Sequence, residues 1–288
     1  MIIIKLILFT LALILIQFFD PQRAFAWGPG VHTAIALSSL DAAKCILPSI
    51  ARVITAYPIE FLYGSLSADF FIGKGKRKRR NPHDWEGGFR FLEKAVDDRE
   101  KAYAMGFLSH LAADVIAHNY YVPNLISTYP GKGNMGHLFW ELRADYVVGS
   151  GYTRIAKGIL AMDHQVCDNL LKLIGGKRKK GLRTKKRFYT QTVRFSDYLY
   201  TTRDLFFEPK LKVYRGQAFN NYLAVMVDLA CRLAKDLLTH TTASPCLLHD
   251  PMGRKNLLLA RERSTFRRLF TPSSHSRRFD VNEDLLSL

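Results

Sequence analysis

Residues 106–123 read GFLSHLAADVIAHNYYVP, and this stretch limits the fold of the chain more than any other. Its apolar residues recur at three- and four-residue steps, the period of an α-helix. His110, Asp114 and His118 stand four apart within it. Each step of four turns a helix by about 40° and raises it by about 6 Å, so the three polar side chains climb one face. Leu111, Ala112, Val115 and Ile116 point elsewhere, into a core. An apolar helix face carrying two imidazoles and a carboxylate has a desolvation cost unless those groups find partners or a metal. The spacing predicts that an unbroken helix cannot easily aim His110 and His118 at one ion. Two neighbouring ions, with Asp114 between them, fit it.

A second segment repeats the device. In GHLFWELRAD, His137 and Glu141 are four apart, and such a pair on one helical turn can bind a zinc ion through nitrogen and oxygen. Upstream lie His32, Asp69 in GSLSADFF and His83 in NPHDW. His32, Asp69, His83, His110, Asp114, His118, His137 and Glu141 are too many for one zinc, which takes about four ligands, and suit a cluster. Taken alone, His110/Asp114 or His137/Glu141 reads as a helical ion pair worth a few tenths of a kcal/mol. Recurrence of the pair on neighbouring helices, with further histidines upstream, favours metal. His164, His240, His249 and His275 read as ordinary core or surface residues.

Helical periodicity also marks 31–48, 50–64, 87–96, 101–118, 136–148, 152–174 and 215–238, and strand-like alternation is scarce. Pro29 and Gly30 precede the first helix, Pro48 and Pro58 interrupt the next ones, and Pro123 ends the stretch after His118. The expectation is an all-α domain over 27–250, its helices packed around a shared site, followed by a basic, flexible tail over 251–288. No internal repeat or coiled-coil heptad is present. Three basic runs stand out: Lys74–Arg80, Lys177–Arg187 and Arg254–Arg278. The first two read as loops. With 42 Lys and Arg against 25 Asp and Glu, the formal net charge is +17. That charge favours anionic partners, whether phospholipid head groups, nucleic acid or an acidic surface, and does not choose among them. The runs read either as solvated faces or as attraction to an anionic membrane. They lack the interleaved aromatics of a single-strand binding groove. Cys45, Cys167, Cys231 and Cys246 form no CxxC pair and no zinc-finger spacing; bridges and buried free thiols both remain open.

Residues 2–19 are almost wholly apolar, with Lys5 near the start. An 18-residue run of this kind could just span a bilayer as an anchor. They also match a signal-peptide core, because a polar break at 20–23 is followed by Ala24-Phe25-Ala26, an A-x-A cleavage site. The small residues favour cleavage after Ala26, hence export, with Trp27 as the new first residue.

The order of these residues resembles the zinc-dependent phospholipase C family, which includes the N-terminal domain of glycosylphosphatidylinositol-specific phospholipase D. Fungal single-strand nucleases are more distant relatives. The resemblance covers 27–148. It implies a multi-helix domain holding up to three zinc ions. One ion would take the amine and carbonyl oxygen of an N-terminal Trp27, with His32 and Asp114. A second would take Asp69, His83, His110 and a bridging Asp114. The third would take His118, His137 and Glu141. The four-residue step from Asp114 to His118 is closer to the phospholipase D branch; bacterial phospholipases C of the family usually have a longer step with a proline-containing break.

What the resemblance implies is an exported phosphodiester hydrolase acting on phospholipid head groups. Zinc would activate a water that attacks phosphorus, with Asp69 orienting or deprotonating it. No serine or cysteine nucleophile is needed, and no motif for one is present. A zinc nuclease is the enzymatic alternative. A non-catalytic membrane-surface or interaction protein stabilised by zinc is the other.

Overall fold

The structure, a computed structural model, describes residues 27–71, 81–128, 135–175, 179–201, 217–269 and 278–288. The leader or anchor expected over 1–26 and the basic run Lys74–Arg80 lie outside these. Among the described residues every regular element is helical. None of the described helices is long and apolar enough to cross a membrane.

Helices α1 (Pro29–Asp41), α2 (Pro48–Ala56) and α3 (Pro58–Ser67) each begin on a proline. Proline suits the first helical turn, where its missing N–H has no intrahelical partner to lose. A short 3₁₀ turn, Ala68–Phe71, carries α3 on to Asp69. Helices α4 (Trp85–Lys94) and α5 (Asp98–Ile116) start on aspartate caps: Asp84 accepts from the Gly87 amide and Asp97 from the Glu100 amide.

Helix α5 is the axis of the domain. Every residue from Ala102 to Ile116 is buried, so it packs on all sides, against α2, α3, α4 and α1 among others. Small residues make this possible. A Cβ on Gly106 would sit 1.9 Å from the Phe61 carbonyl oxygen, and one on Gly64 would sit 2.0 Å from that of Tyr103. The backbones of α3 and α5 touch through this pair of glycines.

Pro123 does not end the rod. A π turn, Ala117–Tyr121, follows α5, and α6 (Val122–Thr128) continues with Pro123 in its first turn. Proline has no N–H to give the carbonyl four residues back and clashes with it in a regular helix. Here that carbonyl belongs to Asn119, and the Asn256 side chain donates to it at 3.0 Å.

Helix α7 (Met135–Val148) leads through Gly149 into α8 (Ser150–Ala161) and α9 (Gln165–Gly175). The single pattern expected over 152–174 breaks at Met162–His164. There the His164 ring lies 2.6 Å from the Ile159 carbonyl and satisfies the end of α8.

The basic run at Lys177–Arg187 differs from the loop expected of it. Its described part opens helix α10 (Lys179–Thr201). Lysine and arginine are good helix formers, and Leu182, Tyr189 and Val193 bury one stripe of this helix while Arg183 and Arg187 face solvent. Helix α11 (Gln217–His240) packs along α5 and α1.

Residues 251–288, expected to form a loose tail, add to the packed domain at two places. Helix α12 (Arg254–Leu269) lies against α6 and the π turn, with Leu257 and Ala260 buried. Further on, Phe279 exchanges hydrogen bonds with the Asn124 side chain at 2.8 and 3.0 Å, and α13 (Glu283–Leu286) buries Leu285. Apolar residues spaced among the arginines carry this packing, which composition alone hides. Residues 270–277 lie outside the described ones.

Candidate metal centre

Asp114 sits near the end of α5, and four imidazoles converge on its carboxylate. His83 Nε2 lies 2.8 Å from Oδ2, His110 Nε2 3.1 Å and His118 Nε2 3.7 Å from the same oxygen; His32 Nε2 lies 3.4 Å from Oδ1. Asp69 closes the group, its Oδ1 3.7 Å from His110 Nε2. The His32 and His110 rings stack at 3.8 Å.

Each side chain arrives from a different element. His32 comes from the first turns of α1, Asp69 from the 3₁₀ turn after α3, His83 from the turn before α4, and His110 and Asp114 from α5. His118 comes from the π turn. The rod changes pitch there instead of continuing as a regular α-helix, and His118, four residues after Asp114, lies against the same carboxylate oxygen as His110.

Burial sets the electrostatics. His32 and Asp114 are buried, and their surroundings push in opposite directions. Burial, helped by His110, lowers the His32 pKa. Burial alone would raise the Asp114 pKa, but the imidazoles of His110, His32 and His83 hold it well below the carboxylate range. At His110 burial acts downward, and the Asp114 and Asp69 carboxylates outweigh it to raise the pKa. His118 is lowered to about 4, chiefly by burial.

The donor set fits zinc. Both ring nitrogens of His32, the Nε2 of His110 and Oδ1 of Asp114 are buried without a hydrogen-bond partner, although the ion-pair distances are short. Buried polar atoms of this kind carry a desolvation penalty that a cation removes. Two groups could hold an ion with all ligand atoms within 4.8 Å of one another: His32, His110 and Asp114, and Asp69, His83 and His110. The second repeats three of the four side chains expected together from sequence. The first brings His110 in beside His32 and Asp114.

The remaining expected residues lie around this core. Trp27 is fully buried; its indole donates to the Ala113 carbonyl at 3.1 Å and stacks on Tyr121 at 4.5 Å. Tyr121, on the π turn, also donates to the Trp140 carbonyl at 3.2 Å, next to Glu141. Glu141 is buried, and its Oε2 has no hydrogen-bond partner. Burial, with the charges of Asp69, Asp145 and Asp114 adding to it, pushes its pKa well up, a shift that a cation beside it would oppose. His137 lies on α7, and its side chain falls outside the described residues.

Two contributors were not singled out from the sequence. Tyr189 of α10 donates to Asp69 Oδ2 at 3.3 Å. Asp145, one turn beyond Glu141 on α7, accepts from the Gly30 and Val31 amides at 2.9 and 2.8 Å. It caps the helix that carries His32, which has no side-chain cap of its own. Glycine at 28 makes room, because a Cβ there would meet the Asp145 carboxyl at 2.4 Å. The i, i+4 spacing from Glu141 could have drawn attention to Asp145.

The other histidines have ordinary surroundings. His164 stacks on Tyr63, while His240 and His249 pair with Asp236 and Asp284. His275 lies outside the described residues. All four cysteines are free thiols.

A family model described as zinc dependent phospholipase C matches residues 31–210. The match runs well beyond the 27–148 suggested by the motifs and takes in α8, α9 and α10. No curated protein and no solved structure matches the chain.

Proposed function

The chain belongs to the zinc-dependent phospholipase C family, and from that premise we propose that it is an exported hydrolase of phospholipid head-group phosphodiesters. The convergence of His32, Asp69, His83, His110 and Asp114 on one buried point, with ligand atoms of His32, His110 and Asp114 lacking a hydrogen-bond partner, is the observation that carries the proposal. His32 and Asp114 would hold one zinc ion, and Asp69, His83 and His110, with the Asp114 carboxylate shared, another. Glu141, His118 and His137 would serve a third.

Zinc bound there supplies a Lewis acid for phosphoryl oxygens and makes a bound water acidic near neutral pH. The side chains do the rest. Asp69 and His83 form the least enclosed edge, at 8% and 9% exposure, whereas His110 and Asp114 are at 0% and 2%. The substrate phosphate approaches from that edge. The Tyr189 hydroxyl holds one Asp69 oxygen, leaving Oδ1 turned toward the centre to orient a water and take its proton. The water oxygen bonds to phosphorus, the ester bond to the leaving alcohol breaks, and a phosphomonoester and an alcohol result.

Trp27 supports the export step. Its side chain is locked against Ala113, the neighbour of Asp114. Cleavage after Ala26 would free an amine at that position. Signal removal would thus complete the first zinc site, and an anionic membrane would be the surface on which this basic protein acts.

The test is an assay of the zinc-loaded protein, cut after Ala26, on phosphatidylcholine, phosphatidylinositol and single-stranded DNA, with a form carrying one extra residue before Trp27 alongside. The expected result is lipid turnover, lost together with one zinc ion in the extended form. Turnover of DNA alone would identify a nuclease. Bound zinc without turnover of any phosphodiester would sink the enzymatic proposal.

A further inference from the structure

Residues 249–256 lie beyond the part of the chain that the family model matches, yet they touch two of the segments that carry candidate zinc ligands. On one side is the turn before α4. The Trp85 indole donates to the His249 carbonyl at 2.7 Å. The Asn81 side chain lies between this segment and His83: its amide group donates to Met252 Sδ at 2.9 Å, while its oxygen accepts from the His83 amide at 3.2 Å. On the other side is the π turn. The Asn119 side chain donates to the Asp250 carbonyl at 2.8 Å and to the Val115 carbonyl at 2.9 Å. Asn256 returns a hydrogen bond to the Asn119 carbonyl, the one that Pro123 leaves without a helical donor.

Between these contacts the strap presses on a ligand residue itself. Gly253 has φ +53°, a conformation that favours glycine. A Cβ there would lie 2.3 Å from the His118 carbonyl oxygen and 2.6 Å from the His118 Cβ. The strap is held rigid from within: Asp250 accepts through its carboxylate from the Met252 and Arg254 amides and through its carbonyl from the Gly253 amide.

We propose that residues 249–256 are a positioning strap for the metal centre. They fix the π turn that aims His118 at Asp114, and they fix the turn that aims His83 at the same carboxylate. Pro123 makes a regular helix unfavourable there, and π turns inside α-helices are frequent at functional sites. Asn256 and Gly253 supply what the π turn needs, a donor for an orphaned carbonyl and an approach free of a Cβ. These residues touch no zinc; they act through His83 and His118. The proposal rests on the zinc-hydrolase assignment above.

Outer partners of metal ligands change metal affinity by about 10- to 100-fold. The experiment measures zinc affinity and stoichiometry, the visible spectrum of the cobalt-substituted protein, and unfolding of the zinc-free protein. It compares the full chain with Asn256→Ala, Gly253→Ala and, as a control, Leu257→Ala. Leu257 is buried on the same helix, so its truncation weakens packing and leaves the strap's hydrogen bonds in place. The expected result is that Asn256→Ala loses about tenfold or more in affinity for at least one zinc and alters the cobalt spectrum. Its zinc-free protein unfolds no lower than that of Leu257→Ala, since one lost hydrogen bond costs less than truncating a buried leucine. Leu257→Ala should show the reverse, a lower unfolding temperature with native zinc affinity. Gly253→Ala should follow Asn256→Ala; should it fail to fold, Asn256→Ala decides alone. Native zinc affinity and cobalt spectrum in Asn256→Ala, or zinc loss that only follows stability across all variants, would overturn the strap. A native chain that binds no zinc would overturn the metal centre itself, and the strap with it.

Discussion

Replacing Gly106 by alanine tests the contact on which the whole centre is built. On a solvent-exposed helix the change stabilises by about 0.5–1 kcal/mol, because alanine loses less conformational freedom on folding. At position 106 the new Cβ would stand 1.9 Å from the Phe61 carbonyl oxygen and 2.8 Å from its carbon. Real Cβ contacts stay above 3.0 Å, so α3 and α5 must separate by roughly 1 Å. The obstacle is helix backbone and cannot swing aside. Overpacking of this kind costs about 1–3 kcal/mol, which outweighs the propensity gain, so the net effect is destabilising. The same displacement reaches the metal centre. Helix α3 leads directly into Asp69, while α5 carries His110, and their ligand atoms are 3.7 Å apart. Metal–ligand distances tolerate only about 0.2 Å, so zinc affinity should fall with stability. Gly158 provides the control: it is exposed within α8 and a Cβ there meets nothing within 4 Å. Urea denaturation with and without zinc, together with zinc stoichiometry, reads both effects. Gly158→Ala should raise the midpoint and keep the zinc; Gly106→Ala should lower both. Should Gly106→Ala raise the midpoint as Gly158→Ala does, with native zinc content, the close-approach argument fails.

Asp114→Asn should lose more zinc than His118→Ala, because four imidazoles share the Asp114 carboxylate; metal analysis of the purified variants decides, and equal losses would count against a shared carboxylate. Burial raises the Asp145 pKa to about 7, so the folded state holds a proton that the unfolded chain has already released. Its contribution to stability is full below about pH 4 and is lost as pH rises through about 7, a change on the order of 4 kcal/mol. In zinc-free protein, stability relative to Asp145→Asn should therefore fall over that window; a flat difference would refute the assignment. N-ethylmaleimide should modify exposed Cys45 in the folded protein and spare Cys167 and Cys246, whose thiols burial pushes up to about 12; mass spectrometry after short exposure reads the outcome. Rapid labelling of Cys167 would show that α9, which carries it, does not hold it packed against α4 and α5.

The candidate ligands could be read from sequence because their chemistry is sparse. Histidine and aspartate at four-residue steps in an apolar helix leave few interpretations, and Asp69, His83, His110 and Asp114 do come together. His118 illustrates the limit. Its spacing from Asp114 is regular, but the path of the backbone is not, since Pro123 and Asn256 together favour a π turn. A donor 133 residues away from that proline, by numbering, leaves no periodic trace. Helix α10 was hidden for another reason: its charged residues mask a buried stripe of only a few apolar ones.

By itself the sequence determined an all-helical chain with a set of nitrogen and oxygen donors suited to zinc. Local rules suffice for that, because helical period and ligand type are properties of neighbouring residues. Tertiary structure alone decided which donors meet. It brought His110 beside both His32 and Asp69, placed Asp145 on the bare amide end of α1, and set the 249–256 strap against His118 and the turn carrying His83. Those contacts join residues far apart in the chain. They exist because the close packing of small residues along α5 leaves each neighbouring element a single place to sit.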